Sequence, residues 1–294
     1  MPRARPSRIA SVVRRVVGMQ ALDRRLDAVE KALRTIETGP VYLGDHTALV
    51  ATQWGGILLV DTRDTTLSPA LLLNRLWEPP TTKWFEETLH GGQVFLDVGA
   101  NIGYFSLLAR RLVGDDGRVI AVEAHPHLTD LLRRNMILNG FRNVTVWHRA
   151  AWSGSTELEM HTRTHFVANS SIGSLGDDQL AVHADTEQVV KVQADSLDEL
   201  VADVPRIDVV KVDVEGSELR VFSGLTRTFE RNPHIAVMFE WSPGQLAMLG
   251  DDPKDLVDLL TDYGFRFRLM DDGLADVDAS RLLDIPFSNV VATR

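Results

Sequence analysis

The stretch Val94-Phe95-Leu96-Asp97-Val98-Gly99-Ala100-Asn101-Ile102-Gly103-Tyr104-Phe105 constrains the fold of this chain more than any other. An apolar strand runs into a tight glycine-containing turn, and the turn opens a helix with Phe105, Leu107, Leu108 and Leu112 on its apolar face. Strand, glycine bend and helix together outline a nucleoside- or phosphate-binding elbow of an α/β protein. Gly99 supplies a backbone conformation closed to other residues, and Gly103 is expected to let the helix press against the strand. A pyrophosphate binder uses G-x-G-x-x-G, so that its middle glycine lets the backbone approach the phosphates. Here the run is D-V-G-A-N-I-G, with Asn101 where the D-x-G-x-G-x-G form of the loop has a further glycine. The bend therefore suits an adenosyl group and an amino-acid tail better than a phosphate.

Three more strands end in acids. Arg118 to Val122 runs into Glu123, at the distance downstream where a carboxylate grips both hydroxyls of a ribose. Ala124, His125 and Pro126 follow, with Pro126 suited to the first turn of a helix reaching Asn139-Gly140. The nearly continuous apolar run from Ile207 reads as a strand buried on both faces. Its far end carries Asp213 and Glu215, two residues apart and so on one face of the extended chain. The strand His234 to Phe239 ends in Glu240, a third acid at the same edge. Ligands of open α/β sheets bind outside the carboxyl ends of the strands.

Charge and composition narrow the classes of partner. The net charge is −10, yet residues 1–38 hold nine arginines and lysines against four acids. The main domain is thus strongly acidic, which argues against a nucleic-acid groove there. No cysteine is present, so disulfides and thiolate metal sites are excluded and a reducing cytoplasm is expected. No apolar run approaches a membrane span, and Arg14-Arg15 interrupts the apolar stretch Ile9 to Val17 that a secretory signal would need.

Residues 1–40 read as a basic helical extension. Met19, Leu22, Leu26, Val29, Leu33 and Ile36 make a short coiled-coil-like seam suited to a dimer or higher oligomer through residues 19–37. Residues 1–20 hold five arginines beside Ile9, Val12, Val13, Val16 and Val17, a pattern suited to peripheral contact with an anionic membrane. Residues 41–90 follow as a hairpin around Trp54-Gly55-Gly56, a helix around Ser68 to Trp77, and a proline-stiffened loop bearing Glu78. Glu157 to Asp185 is polar and weakly periodic, as a substrate-facing insertion would be, and offers His161 and His165 as further candidate bases.

FLDVGANIGYFSLLA, VIAVEAHP, IDVVKVDVEGSELRVFSG and the strand ending MFEW, in that order, resemble the FkbM family of S-adenosylmethionine-dependent methyltransferases. The resemblance implies an α/β class I methyltransferase (Rossmann-like) fold over residues 91–294, a seven-stranded mostly parallel sheet closed by Phe265 to Met270 and Asn289 to Thr293. It implies that residues 41–90 cap the site and that the cofactor is S-adenosylmethionine. The residues expected to hold it are Glu78, Asp97, Gly99, Ala100, Asn101, Gly103, Tyr104, Glu123, Ala124, His125, Ala151 and Asp213. The expected reaction is O-methylation of a small-molecule hydroxyl on a sugar of a glycolipid or polysaccharide, or on a polyketide-like natural product. A poorly nucleophilic hydroxyl needs help in losing its proton. Asp213 is the first candidate base, with Glu215 and Glu240 beside it, and the same three acids are equally suited to ligating Mg²⁺. A cytoplasmic protein, partly at the inner face of the membrane, would follow. The alternative is a non-catalytic or nicotinamide-binding protein on the same fold.

Overall fold

The computed structural model describes residues 39–163, 170–172 and 187–294, and in chain order these alternate between strands and helices around the Val94 run. Strands β1 (Val41–Gly44), β2 (Thr47–Ala51) and β3 (Ile57–Asp61) make a small sheet, followed by helices α1 (Leu67–Asn74) and α2 (Pro79–Thr88). Then come β4 (Val94–Val98), α3 (Tyr104–Val113), β5 (Arg118–Glu123), α4 (Pro126–Leu138) and β6 (Val144–His148). A second small sheet is built from β7 (Ala150–Trp152), β8 (Thr156–Arg163) and β9 (Glu187–Ser196). The chain then returns to the main sheet through α5 (Leu197–Leu200), β10 (Val209–Val212), α6 (Glu218–Ser223), α7 (Thr226–Arg231) and β11 (Ala236–Trp241). It ends with α8 (Pro243–Met248), α9 (Pro253–Asp262), β12 (Arg266–Leu269), β13 (Ala275–Val277), α10 (Ala279–Leu282) and β14 (Ser288–Thr293).

The main sheet has the order β13-β12-β14-β11-β10-β4-β5-β6. Strands β6, β5, β4, β10 and β11 are parallel, and β14 slots antiparallel between β11 and β12. These seven are the expected strands. The eighth, β13, is a short antiparallel addition at the edge beside β12. From β4 the chain winds outward through β5 and β6, then crosses back to β10 on the other side of β4. The connections that leave the carboxyl ends of β4 and β10 therefore run to opposite sides, which opens a crevice outside those ends.

Alternation along the strands divides the core into two layers. Phe95, Phe85, Leu107 and Leu108 belong to one layer, and Leu96, Val98, Val210, Val212, Phe222 and Phe239 to the other. Lys211 lies between Val210 and Val212 and is itself buried, its Nζ 5.5 Å from the centre of the Phe105 ring. A cation inside a strand of valines is held by partners at the site, as shown below.

The proline pair after Glu78 forms the start of α2 rather than a loop, since proline fits a first helical turn whose N–H groups lack partners anyway. The polar stretch from Glu157 contains β8, which pairs antiparallel with β9, while His165 lies outside the described residues. The self-association seam 19–37 and the membrane-contact segment 1–20 also lie outside them. Tyr42–Arg294 forms one compact unit, and no helix among the described residues is long and apolar enough to cross a membrane.

Hydrogen bonds fix the small hairpin sheet to the main domain. The Asn135 side chain, fully buried in α4, accepts from the Leu59 N–H at 2.7 Å and donates to the carbonyls of Leu59 at 3.2 Å and Ile102 at 2.8 Å. Alanine at this position would strand three buried backbone groups. Asn135→Ala is expected to cost about 2–4 kcal/mol and to lower the midpoint of a calorimetric melt by about 5–12 °C. A shift of under about 2 °C would show that the tie carries little of the stability.

Candidate active site

The bend after β4 is shaped by a close approach of two backbones. Gly99 has φ 72°, and a Cβ placed on it would lie 1.7 Å from the carbonyl oxygen of Asp213 at the end of β10. No side chain fits there. The N–H groups of Gly99 and Ala100 both donate to the Val122 carbonyl, at 3.0 and 3.1 Å, which ties the bend to β5. Asn101 follows with φ 53°, a conformation that asparagine tolerates better than most residues. Gly103 caps α3 at φ 91°, but the Cβ test places Leu132 and Met136 of α4 against it, so it admits the neighbouring helix rather than its own strand.

Tyr104 opens α3 and is buried in the wall of a cavity of about 310 Å³. Its hydroxyl sits in a relay: Trp54 Nε1 donates to it at 3.0 Å, and it lies 3.1 Å from the Thr82 hydroxyl, which donates to the Trp77 carbonyl at 2.7 Å. The relay holds the hairpin and α2 over the bend, with Trp77 and Glu78 in the same cavity wall.

Glu123 ends β5 with its carboxylate buried in that wall. One oxygen accepts from the Asn101 N–H at 2.8 Å and the other from the His125 N–H at 2.7 Å. Each oxygen keeps a second lone pair for a ligand diol. Burial pushes the carboxyl up to about 7, although these two N–H groups partly offset it. His125 itself caps α4, its Nδ1 accepting from the His127 N–H at 3.1 Å, and burial holds it down to about 4, so the ring is neutral. Ala124, Ala150 and Ala151 continue the wall with small side chains. Asp97, Gly103 and His125 do not line the cavity. Asp97 is fully buried behind it and accepts from the Ser106 hydroxyl at 2.5 Å.

At the other end the expected acids converge. Ligand oxygens of Asp213, Glu215 and Glu240 lie within 4.8 Å of one another. Lys211 Nζ is 2.9 Å from Asp213 Oδ2, and Gln245 Nε2 donates to Glu215 Oε2 at 2.7 Å. Nearby Asp213 and Asp97 hold the buried ammonium above its ordinary value against its own desolvation. Glu240 is pushed up to about 10 by burial and then by Asp213 and Glu215, and its Oε2 is buried without a hydrogen-bond partner. Glu78, the strained cap of α2 at φ 39°, is also raised by burial and by Asp213. Three carboxylates so close suit either a shared proton or a divalent cation bound through their oxygens.

Two members of this cluster escaped the sequence analysis. Lys211 had a visible signal, a charge inside an otherwise apolar strand. Glu218 had a fainter one, an acid opening α6, where its Oε1 accepts from the N–H groups of Val214 and Gly216 at 3.2 and 3.3 Å. Arg149 lines the adenosine end but is engaged with Asp195 at 2.9 Å. His161 bonds Glu187 at 2.7 Å and is absent from the cavity wall, whereas Ser170, Ser171 and Ile172 are part of it.

Comparison with known proteins matches residues 97–267 to the methyltransferase FkbM domain. The chain is 29% identical over 196 residues to the methyltransferase sdnD of Sordaria araneosa, covering 58% of this chain and 72% of that one. It is 29% identical over 172 residues to the hexuronic acid methyltransferase AglP of Haloferax volcanii, covering 58% of this chain and 62% of that one. A protein-L-isoaspartate O-methyltransferase of Methanococcoides burtonii is 36% identical over 81 residues, which span 28% of this chain and 38% of that relative. A solved SAM-dependent O-methyltransferase from Thermotoga maritima superposes with a TM-score of 0.41 at 15% identity, covering 89% of this chain and 80% of that one. The domain match decides between methyl transfer and the nicotinamide-binding alternative in favour of methyl transfer.

The cavity fits S-adenosylmethionine on its own evidence: a bend that excludes a Cβ, a diol-sized carboxylate and small side chains beyond it. Glu123→Ala is expected to weaken binding of that cofactor by about tenfold or more, or about 1.4 kcal/mol, in a calorimetric titration. The raised carboxyl adds a pH signature. Its proton favours the folded state below the ordinary carboxyl range, and that stabilisation is lost as pH rises through about 7. Ligand binding runs the other way, because the ionised form accepts both ribose hydroxyls. Affinity should therefore rise between about pH 6 and 8 and be flat in Glu123→Gln; a parallel slope in the variant would assign the effect to another group.

Proposed function

Because the chain belongs to the FkbM methyltransferase family, we propose that its cavity O-methylates a hydroxyl of a small molecule, most simply a sugar of a glycolipid, polysaccharide or natural product. The chain is an S-adenosylmethionine-dependent methyltransferase; the acceptor and the atom methylated are this proposal's own. The observation that carries it is the gathering of Asp213, Glu215 and Glu240 at the end of the cavity opposite Glu123. The printed name of one relative, a hexuronic acid methyltransferase, supports a sugar.

When bound, S-adenosylmethionine supplies an electrophilic methyl group on a sulfonium. The protein's part is to hold the two reactants and move one proton. Glu123 accepts the ribose hydroxyls, Ala124 and Ala151 leave room for the flat base, and the Gly99 bend admits the rest of the cofactor. An acceptor hydroxyl held at about 3–3.5 Å from the methyl carbon gains most of its rate from that placement. Asp213 receives its proton. Oδ2 of Asp213 accepts from Lys211, which leaves Oδ1 as the atom to take the proton. Glu240, raised to about 10, carries a proton at neutral pH and donates it as a hydrogen bond toward the acceptor oxygen or Asp213.

Mg²⁺ at the same three carboxylates is the competing arrangement, in which those oxygens would ligate the ion and the ion would acidify the hydroxyl. Dialysis against EDTA separates the two: retained turnover favours the proton-sharing acids, and loss restored by Mg²⁺ favours the ion. The proposal extends to a cytoplasmic protein whose segment 1–20 rests on an anionic membrane and whose seam 19–37 pairs two or more copies, with no nucleic acid as partner.

Asp213→Asn is the direct test. It should lower turnover by about 10²–10⁴ while the cofactor dissociation constant changes by less than about threefold. Unchanged turnover would remove Asp213 from proton transfer.

A further inference from the structure

The tip of the hairpin between β2 and β3 reaches the cavity wall through a tryptophan. The tip is tied at its base, where the Thr52 N–H donates to the Gly56 carbonyl at 2.8 Å and the Gly56 N–H donates to the Thr52 hydroxyl at 2.8 Å. It is also tied sideways, because Gln53 donates to the carbonyls of Arg75 and Asn74 at the end of α1, at 2.9 and 2.7 Å. Trp54 therefore starts from a fixed point. Gly56 clears the path of its ring: a Cβ on Gly56 would lie 2.1 Å from the indole. The backbone of Gly56 is not left-handed, so the missing side chain matters for the indole and not for the turn. From there the indole N–H donates to the hydroxyl of Tyr104, 50 residues further along, at 3.0 Å, with the rings edge to face and 5.6 Å between centres.

The hydrogen bonds that begin at this indole can run in one direction only. An indole N–H donates and never accepts, and a backbone carbonyl accepts and never donates. With Trp54 at one end and the Trp77 carbonyl at the other, Thr82 donates to Trp77 at 2.7 Å, and the Tyr104 hydroxyl must donate to Thr82 at 3.1 Å. The hydroxyl proton of Tyr104 is thereby committed to the cap. Tyr104 is 2% exposed and lines the cavity, whereas neither Trp54 nor Thr82 is in its wall. What the side chain offers a ligand is its ring.

We propose that Trp54 is a positioning residue for cofactor binding: it fixes the direction of the chain Trp54, Tyr104, Thr82, Trp77, and Tyr104 so held meets S-adenosylmethionine with its ring and not with its hydroxyl. The proposal rests on the cofactor fit described above and on nothing about the acceptor. A side chain outside the cavity acts on a ligand in this way by preorganising the surface that the ligand meets.

The test is a calorimetric titration of the full chain with S-adenosylhomocysteine, beside a melt of each ligand-free protein. Trp54→Phe and Tyr104→Phe are each expected to weaken binding by about fivefold to tenfold. The double variant should lose no more than about twofold beyond either single one, since both break the same chain. Gly56→Ala keeps the indole but pushes it off its line, and Thr82→Val breaks the chain without altering either ring; both should match Trp54→Phe. A loss in Tyr104→Phe well above that in Trp54→Phe, with the two adding in the double variant, would overturn the proposal by placing the hydroxyl on the ligand. Variants that lower the melting temperature of the ligand-free protein and leave the dissociation constant unmoved would also overturn it, as contacts that only stabilise the fold. If the unaltered chain binds no S-adenosylhomocysteine, the cofactor fit itself fails; if it binds and every variant binds equally well, the positioning role alone fails.

Discussion

Two backbones meeting without a side chain between them set the geometry of this molecule. The α-carbon of Gly99 lies so near the Asp213 carbonyl that even a methyl group is excluded. This contact joins the carboxyl ends of β4 and β10, the two strands from which the sheet winds in opposite directions. Because they touch, Glu123 at the tip of β5 and the acids at the tips of β10 and β11 face one cavity instead of two grooves. The order of the strands makes such a crevice general for the fold; the missing Cβ makes it narrow here.

Charge is the second constraint. A single buried ammonium, Lys211, has Asp213, Asp97 and Glu78 around it, and burial drives Asp97, Glu78 and Glu240 toward their neutral forms. Among the described residues, the cavity wall holds carboxyls and no histidine.

Much of this was legible along the chain because the informative residues are local. A buried parallel strand is a continuous apolar run, and its ligand-facing end is the residue after that run, so Glu123, Asp213 and Glu240 could be picked out one at a time. What could not be read was set by distant partners. β8 and β9 are polar on alternate positions and find each other across a long separation, so neither declares itself as a strand alone. The partners that hold Lys211, namely Asp213 and Asp97, come from two strands far apart in the chain. The glycine bend suggests that Gly103 makes room for its own strand, yet the atoms that need the space belong to α4. The two prolines after Glu78 suggest a loop, but they begin a helix, and only the helix's packing reveals it.

The β8–β9 arm leaves the main body at Trp152 and rejoins it at Ser196, and these two residues are paired directly across β7 and β9. An excursion whose departure and return points adjoin imposes almost no demand on the length of what lies between. Evolution, or a protein engineer, can therefore exchange the whole arm like a fitting on a fixed socket. Related enzymes would then diversify in what they modify while the methyl-donor half stays as it is.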